Sequence, residues 1–202
     1  MSKSSVLVKR SQSRRGRGSS TVHIESGAAW GIEECRVFVK RQSDYICRPP
    51  WRAFLATPRL HREQRALLAW RNLGVGTPEI VTYRRKGTDA VLVVREVSDS
   101  QPLQEALEMP GADRNQIVSN LAAVLARVHR ARWVHGALYS PHILVQPEEG
   151  YAVIFIDLEK AKRSRRLRRN DLDRFWRHNR YFTTAEVTLF EAEYQTAYRK
   201  PA

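Results

Sequence analysis

The chain has 202 residues, enough for one compact domain or for two small lobes that share a cleft. Its 35 Lys and Arg residues against 21 Asp and Glu give a formal net charge of +14, which predicts attraction to a polyanion: nucleic acid, phosphorylated glycan or anionic membrane leaflet. The apolar run Val6-Leu7-Val8 is far too short for a signal-peptide core or a membrane span, so we expect a cytoplasmic protein. Cys35 and Cys47 lack metal-ligand spacing and predict reduced, buried thiols.

The first half of the sequence indicates a small sheet with one helix. Residues 1–13 are polar, basic and serine-rich, and we expect them to be disordered. Runs of β-branched and apolar residues predict strands over residues 21–25, 36–40, 80–83 and 90–95, the first two as a hairpin. Residues 42–58 contain three prolines and predict a loop. Residues 60–73 are dense in helix formers and stop at a glycine, which predicts a helix.

The second half indicates a mainly helical region. A short helix is expected after Pro102. An amphipathic helix is predicted over residues 113–130, because apolar residues recur there at i, i+4, i+7, i+8 and i+11: Ile117, Leu121, Val124, Leu125 and Val128. Two more helices are expected over residues 171–178 and 183–198, the second with a threonine N-cap ahead of Glu186.

One stretch indicates the chemistry. Residues 133–145 follow the amphipathic helix directly and read Trp-Val-His-Gly-Ala-Leu-Tyr-Ser-Pro-His-Ile-Leu-Val. In the kinase catalytic loop, H-x-D-L-x-x-x-N-I-L, the Asp takes the proton of the attacking hydroxyl and the Asn holds a magnesium ion. Here Ala137 stands in place of that Asp, and His142 stands in place of that Asn. A β-rich run then ends in residues 155–160, Phe-Ile-Asp-Leu-Glu-Lys, in which Asp157 is the candidate metal ligand.

Upstream residues fall in kinase order with this loop. Gly16 and Gly18 resemble part of a glycine-rich phosphate loop, although Thr21 replaces its third glycine. Lys40, at the end of an apolar strand, resembles the lysine that contacts the α- and β-phosphates of ATP. Glu63, early on the following helix, would be its ion-pair partner.

The sequence resembles the lipopolysaccharide kinase family, which contains the Kdo and heptose kinases and the InaA-like proteins. The resemblance covers about residues 14–180 and is carried by Arg14-Arg-Gly16, Phe38-Val-Lys-Arg-Gln42, Arg62-Glu63 with Leu73-Gly-Val75 and Pro78, His135-Gly-Ala-Leu-Tyr-Ser-Pro-His142, Ile156-Asp-Leu-Glu-Lys160 and Arg169-Asn-Asp-Leu-Asp173. Tyr139 and His142 are like the heptose-kinase branch, whereas Ile-Asp-Leu-Glu-Lys is like the InaA-like branch.

The resemblance implies an α+β, protein-kinase-like fold with two lobes. We expect a small β-sheet N-lobe with one helix over residues 14–100 and a reduced, mainly helical C-lobe over residues 101–202. ATP and Mg²⁺ are the implied cofactors. The implied substrate is an inner-core sugar of lipopolysaccharide, heptose or Kdo, phosphorylated at the cytoplasmic face of the inner membrane. Peripheral contact with the inner leaflet of that membrane would follow.

The resemblance also implies roles for single residues. His135 would organise the catalytic loop, and Asp171 would tie the following helix back to it, although a solvated helix-capping Asp171 is equally open. His142 is a poor ligand for Mg²⁺, which prefers oxygen, and could instead hydrogen-bond a phosphate or act through water. Glu159, two residues beyond Asp157, is a candidate substitute for the missing base.

The densest run of basic residues begins three residues after Asp157. We expect this segment to face an acidic substrate, and a solvated helix face is the competing explanation. The candidate substrate-binding residues are Lys162, Arg163, Arg165 and Arg166.

Three functions remain open at this point. The first is an active sugar kinase. The second is an InaA-like pseudokinase with a regulatory or scaffold role, because the catalytic-loop Asp is Ala137. The third is a basic nucleic-acid-binding protein, in which bases would stack on Trp133, Trp176, Tyr181 and Phe182. This third function leaves the ordered kinase-like residues unexplained, so we expect no specific nucleic-acid partner. The sequence does not indicate an oligomeric state.

Overall fold

The structure is a computed structural model that describes residues 5–12, 18–32, 35–47, 57–164 and 168–200. The chain divides into two compact units. Within the described residues, the first unit comprises positions up to Leu67 together with Pro78–Val97, and the second comprises Leu68–Thr77 and positions from Ser98 onward.

The first unit is built on strands. They are β1 (Val6–Gln12), β2 (Ser19–Ser26), β3 (Arg36–Ser43), β4 (Ile46–Cys47), β5 (Thr57–Pro58), β6 (Ile80–Lys86) and β7 (Asp89–Arg95). Five of them form an antiparallel sheet in the order β1-β2-β3-β7-β6, and β4 pairs with β5. Helix α1 (Arg59–Asn72) begins in this unit.

Strand β3 lies at the centre of the sheet and shows how its two faces differ. Val37 and Val39 are fully buried and pack with Val93 of β7 on one face. Because successive side chains of a strand point to opposite faces, Lys40 lies on the other face. The alternation of this strand therefore sets aside one face for the apolar core and directs the lysine away from it.

The second unit is mainly helical. Its elements are β8 (Gln101–Pro102), α2 (Leu103–Glu108), α3 (Arg114–Arg130), β9 (Trp133–Val134), β10 (Ile143–Gln146), β11 (Ala152–Phe155), β12 (Lys162–Arg163), α4 (Arg168–His178) and α5 (Thr184–Arg199). Strands β11, β10 and β8 form a small sheet in that order, and β12 pairs with β9.

Helix α3 forms the centre of this unit and packs extensively against α5. Asp113 caps its N-terminus by accepting a hydrogen bond from the Gln116 amide at 3.0 Å. Of the five apolar positions that predicted this helix, Val124 is half-buried, and the other four are buried: Ile117, Leu121, Leu125 and Val128. Each such side chain contributes about 1.5–3 kcal/mol by burial, so this face accounts for much of the stability of the unit.

The predicted strands and helices are confirmed, with small shifts in their ends. Two expectations were wrong. Residues 6–12 of the segment expected to be disordered form β1, because their β-branched side chains have β2 available as a partner. The expected loop over residues 42–58 contains the end of β3 as well as β4 and β5, while residues 48–56 lie outside the described residues.

Two further expectations from the sequence concern the cysteines and a membrane span. Cys35 and Cys47 are free thiols, and both are half-buried rather than fully buried. Across the described ranges, no helix is long and apolar enough to cross a membrane.

Candidate active site

His135 is the fixed centre of the loop between β9 and β10. Its side chain is fully buried. The Nε2 atom lies 3.1 Å from the Ile156 carbonyl oxygen, to which it must donate, and the Ala137 amide donates to Nδ1 at 3.3 Å. Burial lowers the pKa of His135 to about 4, so the ring is neutral at physiological pH. With both ring nitrogens engaged, His135 has the geometry of a loop organiser and not of a base.

Asp171, on α4, holds the start of the same loop. Its carboxylate accepts the backbone N–H groups of His135 at 2.7 Å and of Gly136 at 2.8 Å. His129 Nε2 lies 3.3 Å from the carboxylate, and His129 Nδ1 is 2.7 Å from the Tyr194 hydroxyl. Burial alone would raise the pKa of Asp171, but these hydrogen bonds outweigh it and lower that pKa. Asp171 is thus a buried anion within the loop framework, not a solvated helix cap.

Gly136 permits a close approach that the sequence analysis missed. Its φ is +77°, and a Cβ at this position would lie 3.0 Å from the Lys160 carbonyl oxygen. Strands β9 and β12 pair next to this point, with Val134 opposite Lys162 and Trp133 opposite Arg163. The segment that follows Asp157 therefore runs directly against the loop between β9 and β10. In the sequence, the glycine directly after His135 was the signal that could have indicated this close approach.

Ala137 occupies the position of the usual base. The residue is only 2% exposed, so its methyl group is almost completely buried. Arg174 of α4 donates a hydrogen bond to the Gly136 carbonyl, which brings a cation to the residue immediately before Ala137. The sequence alone does not single out Arg174, because it is one of several arginines on a basic helix and belongs to no recognisable motif.

His142 and Asp157 are brought together. The His142 Nδ1 atom donates to the Ala137 carbonyl at 2.8 Å, and His142 Nε2 lies 3.4 Å from Asp157 Oδ2. The Ile156 amide donates to the His142 carbonyl at 3.0 Å, which ties the two segments beside that contact. Asp157 has φ 57° and ψ 51°, a left-handed conformation that costs about 1–3 kcal/mol in a residue other than glycine. The fold thus holds Asp157 in a strained position beside the loop histidine.

The donor set at this point suits a divalent cation only in part. The Asp157 carboxylate is a good ligand for Mg²⁺, whereas the imidazole nitrogen of His142 is not. No group of three or more His, Cys, Asp and Glu side chains is placed to hold a metal ion within the part of the chain that the structure describes. Magnesium in proteins commonly keeps several waters and binds through one or two carboxylates plus substrate phosphates. Asp157 therefore fits such a site and His142 fits it poorly.

Lys40 and Glu63 form the predicted ion pair in the first unit. Lys40 Nζ lies 2.5 Å from Glu63 Oε1, and the side chains are 17% and 3% exposed. Gln42, two residues further along β3, accepts the Leu60 amide at 2.9 Å and so fixes the first turn of α1. The two contacts set the register between β3 and the helix. A largely desolvated pair of this kind holds the lysine in one position.

The remaining candidate residues are placed as follows. Gly18 has φ +103° and its Cα faces the Asp44 backbone, where a Cβ would lie 2.4 Å from the carbonyl oxygen. Glu159 is half-buried in the short 3₁₀ helix Leu158–Lys160. Lys162 and Arg163 are exposed on β12. Gly16, Arg165 and Arg166 lie outside the described residues.

The aromatic residues considered for base stacking are largely engaged in packing. Trp176 contacts Phe175, Phe182 and Phe190, with ring centroids 4.7–5.5 Å apart. Tyr181 stacks on Phe182 at 5.1 Å. These contacts favour a helical core over a row of stacking platforms.

A comparison with known protein families identifies the family of this chain. The model of the lipopolysaccharide kinase (Kdo/WaaP) family matches residues 3–194. The chain belongs to this family. The matched range contains the ion pair Lys40–Glu63, the His135 loop and Asp157. No curated protein sequence matches the chain.

Solved structures show the fold. An aminoglycoside-3'-phosphotransferase of type VIII is similar over 98% of this chain and 88% of its own, with a TM-score of 0.63 and 16% sequence identity. The Cydia pomonella granulovirus kinase PK-1 is similar over 79% of this chain and 52% of its own, with a TM-score of 0.49 and 14% identity. This second likeness is too weak to support an argument. The predicted α+β, protein-kinase-like fold is confirmed, with a sheet-rich first unit and a mainly helical second unit.

Proposed function

We propose that this member of the lipopolysaccharide kinase family transfers the γ-phosphate of ATP to a hydroxyl of an inner-core sugar, heptose or Kdo. The observation that carries the proposal is the placement of Asp157, 3.4 Å from His142 at the end of a segment whose Ile156 amide donates to the His142 carbonyl. Membership of the lipopolysaccharide kinase family supports this choice of substrate class.

Positioning and charge neutralisation are most of what phosphoryl transfer requires from a protein. Lys40, held by Glu63, would contact the α- and β-phosphates of ATP, and Gly16 and Gly18 would belong to the loop that covers them. Asp157 would hold Mg²⁺, which neutralises charge on the phosphoryl oxygens when bound. His135 and Asp171 would keep the catalytic loop in place without touching the reacting atoms.

The missing base slows this chemistry without abolishing it. A positioned general base contributes about 10²–10⁴ in rate, so transfer from the remaining groups would be slow. Glu159 is our candidate substitute, because it follows Asp157 by two residues and is half-buried in the adjoining 3₁₀ turn. Glu159→Gln should then slow transfer by about 10²–10⁴ while leaving nucleotide binding intact.

One observation favours a second candidate, an InaA-like pseudokinase with a regulatory or scaffold role. The Ala137 methyl group is almost completely buried, and Arg174 hydrogen-bonds the carbonyl just before it. A loop packed in this way has replaced the base by apolar surface and a neighbouring cation. A pseudokinase would still bind nucleotide or glycolipid through the other residues.

The basic segment after Asp157 is suited to an acidic acceptor. Lys162 and Arg163 are exposed on β12, which pairs with the strand leading into the catalytic loop. Two cations at this point would attract the anionic groups of a lipopolysaccharide core. Replacing both by Ser should therefore raise the KM for the glycolipid more than the KM for ATP.

Strand β1 supports contact with the membrane that carries the substrate. It lies at the edge of its sheet, yet Val6, Leu7 and Val8 are each more than half exposed, where edge strands usually place charged residues. Lys9 and Arg10 follow and are exposed as well. We propose peripheral binding at the cytoplasmic face of the inner membrane through this edge. Vesicles that contain phosphatidylglycerol should bind the wild type and lose binding after Val6, Leu7 and Val8 are replaced by Ser.

The deciding experiment follows labelled γ-phosphate from Mg-ATP to lipopolysaccharide stripped of its core phosphates. Transfer by the wild type that disappears in Asp157→Ala, but persists in the exposed control Asp173→Ala, would support a kinase. Silence in the wild type with transfer only in Ala137→Asp would support the pseudokinase. Silence in all variants together with no binding of ATP would contradict the proposed function.

A further inference from the structure

A row that includes three arginines crosses one face of the five-stranded sheet. Its members are cross-strand neighbours in the order Arg10, Thr21, Arg41, Val91 and Arg84. Residues paired in this way share a face of the sheet. Arg41 follows Val39 by two positions and Lys40 by one, so the row lies on the face opposite Lys40. These arginines are therefore separate from the lysine and its proposed phosphate contacts.

A cavity of about 590 Å³ lies on this face. Two arginines of the row line it, Arg41 and Arg84, together with Glu25, Trp30 and Thr82. Adjacent strands are about 4.8 Å apart, so the backbones of Arg41 and Arg84, two strands apart, are separated by about 9–10 Å. Two arginine side chains can span this separation from both ends and meet at one anionic group.

Both arginines have N–H groups to offer to a ligand. Arg41 Nη1 donates to Glu25 Oε1 at 3.0 Å, yet its side chain is 43% exposed, and a guanidinium carries five N–H donors. Arg84 is exposed, and no ion pair engages it within the part of the chain that the structure describes. Guanidinium groups match the geometry of phosphate and bind it through two parallel hydrogen bonds. The cavity therefore suits a ligand that carries a phosphate.

Glu25 narrows the class of ligand. Its carboxylate is largely buried and accepts hydrogen bonds from Trp30 Nε1 and Arg41, each at 3.0 Å. Burial alone would raise the pKa of Glu25, but these hydrogen bonds outweigh it and lower that pKa. A carboxylate has about four acceptor sites, so it can also accept from hydroxyl groups. Its negative charge disfavours a ligand that offers only phosphates and favours one that offers hydroxyl groups as well.

We propose that this cavity binds a phosphorylated sugar. Arg41 and Arg84 would bind the phosphate, and Glu25 would accept hydrogen bonds from hydroxyl groups of the sugar. Trp30 would pack its apolar surface against the C–H face of the ring. The volume of the cavity lies within the range of about 300–1,000 Å³ that is usual for small-molecule sites. The site goes beyond the proposed transfer reaction, because it lies on the sheet face opposite Lys40.

The test titrates ¹⁵N-labelled full-length protein, without ATP, with the phosphorylated core oligosaccharide released from lipopolysaccharide. The indole N–H signal of Trp30 reports on this cavity, and we expect it to shift in the wild type. Arg84→Ser should weaken the binding at least about tenfold, because hydrogen bonds to charged groups are worth that factor or more. Arg65→Ser should bind as the wild type does. Arg65 is an exposed arginine of α1 in the same unit, so its replacement removes the same charge outside the cavity.

Further ligands separate the sources of the phosphorylated sugar. Binding of glucose 6-phosphate would assign free sugar phosphates as ligands, whereas binding of the oligosaccharide alone would assign a longer glycan. A wild-type Trp30 signal that shifts with neither ligand would overturn the proposal. Equal affinities of Arg84→Ser and Arg65→Ser, or undiminished binding of oligosaccharide treated with phosphatase, would overturn it as well.

Two more outcomes are informative. Single-stranded RNA that shifts the Trp30 signal with higher affinity than the oligosaccharide would overturn the proposal in favour of a nucleic-acid site. Binding of the oligosaccharide by a protein that transfers no phosphate from ATP would contradict only the proposed function. Transfer without a shift of the Trp30 signal would contradict only the sugar site.

Discussion

The Asp171 carboxylate accepts the backbone N–H of His135 at 2.7 Å, with the two residues on different elements of the second unit. The same carboxylate accepts the next amide, that of Gly136, at 2.8 Å. One buried anion thereby fixes two successive peptide groups at the start of the loop between β9 and β10.

Asp171→Asn should destabilise the protein by about 3 kcal/mol, because one buried N–H would then face an amide NH₂ instead of an oxygen. The free energy of unfolding in urea measures this. Asp173→Asn, an exposed substitution on the same helix, should change it by less than about 0.5 kcal/mol. Equal effects of the two substitutions would contradict the role given to Asp171.

The ion pair between Glu186 and Arg114 predicts that the free energy of unfolding depends on pH in the acid range. The Glu186 carboxylate is paired with Arg114, at 2.6 Å to Nε and 3.0 Å to the second guanidinium nitrogen. The hydrogen bonds from Arg114 lower the pKa of Glu186 from its usual 4.5 to about 2. A lowered pKa means that the pair stabilises the protein fully above pH 4.5, and that this contribution is lost as the pH falls toward 2.

Glu186→Gln should therefore cost about 2 kcal/mol at pH 7, the typical value for hydrogen bonds to a charged group, and much less near pH 2. Urea unfolding of both proteins from pH 7 down to pH 2 provides the measurement. A gap that stays constant over this range would show that the charge of Glu186 is not the stabilising feature.

Gly136→Ala should destabilise the protein more than Gly150→Ala does. Both glycines have positive φ, +77° and +63°, so alanine is strained at either position by about 1 kcal/mol. Only at Gly136 would the new Cβ also press on the Lys160 carbonyl, since open space surrounds Gly150. The difference in unfolding free energy between the two variants isolates the close approach. Identical costs would mean that the Lys160 segment yields freely.

The sequence predicted those features that local pattern determines. The spacing of Ile117, Leu121 and Leu125 predicted α3 because the apolar face of a helix has its own period. The order of Lys40 and Glu63 along the chain predicted their ion pair, because the kinase pattern specifies that partner. Thr183 ahead of Glu186 predicted the capping box that opens α5.

Features that depend on contacts between distant segments were not predictable in this way. Strand β1 gains its order from pairing with β2, which its own composition does not specify. The contact of Gly136 with Lys160 and the hydrogen bond from Arg174 join residues 24 and 38 positions apart. Their residue types suit many surface positions equally well. Only the folded chain shows which of them lie beside Ala137.

Lys40→Met should destabilise the first unit by about 3 kcal/mol, because it leaves the Glu63 carboxylate, 3% exposed, without its lysine. Glu63→Gln removes that charge, so the double variant should recover part of the loss. Thermal and urea unfolding of the four proteins gives the coupling free energy between the two side chains.

Both single variants and the double variant should also lose affinity for ATP, since none keeps the oriented ammonium. Recovery of stability without recovery of nucleotide binding would separate the structural contribution of the pair from its proposed role at the phosphates. Additive losses of stability would mean that the two side chains act independently, contrary to the 2.5 Å contact.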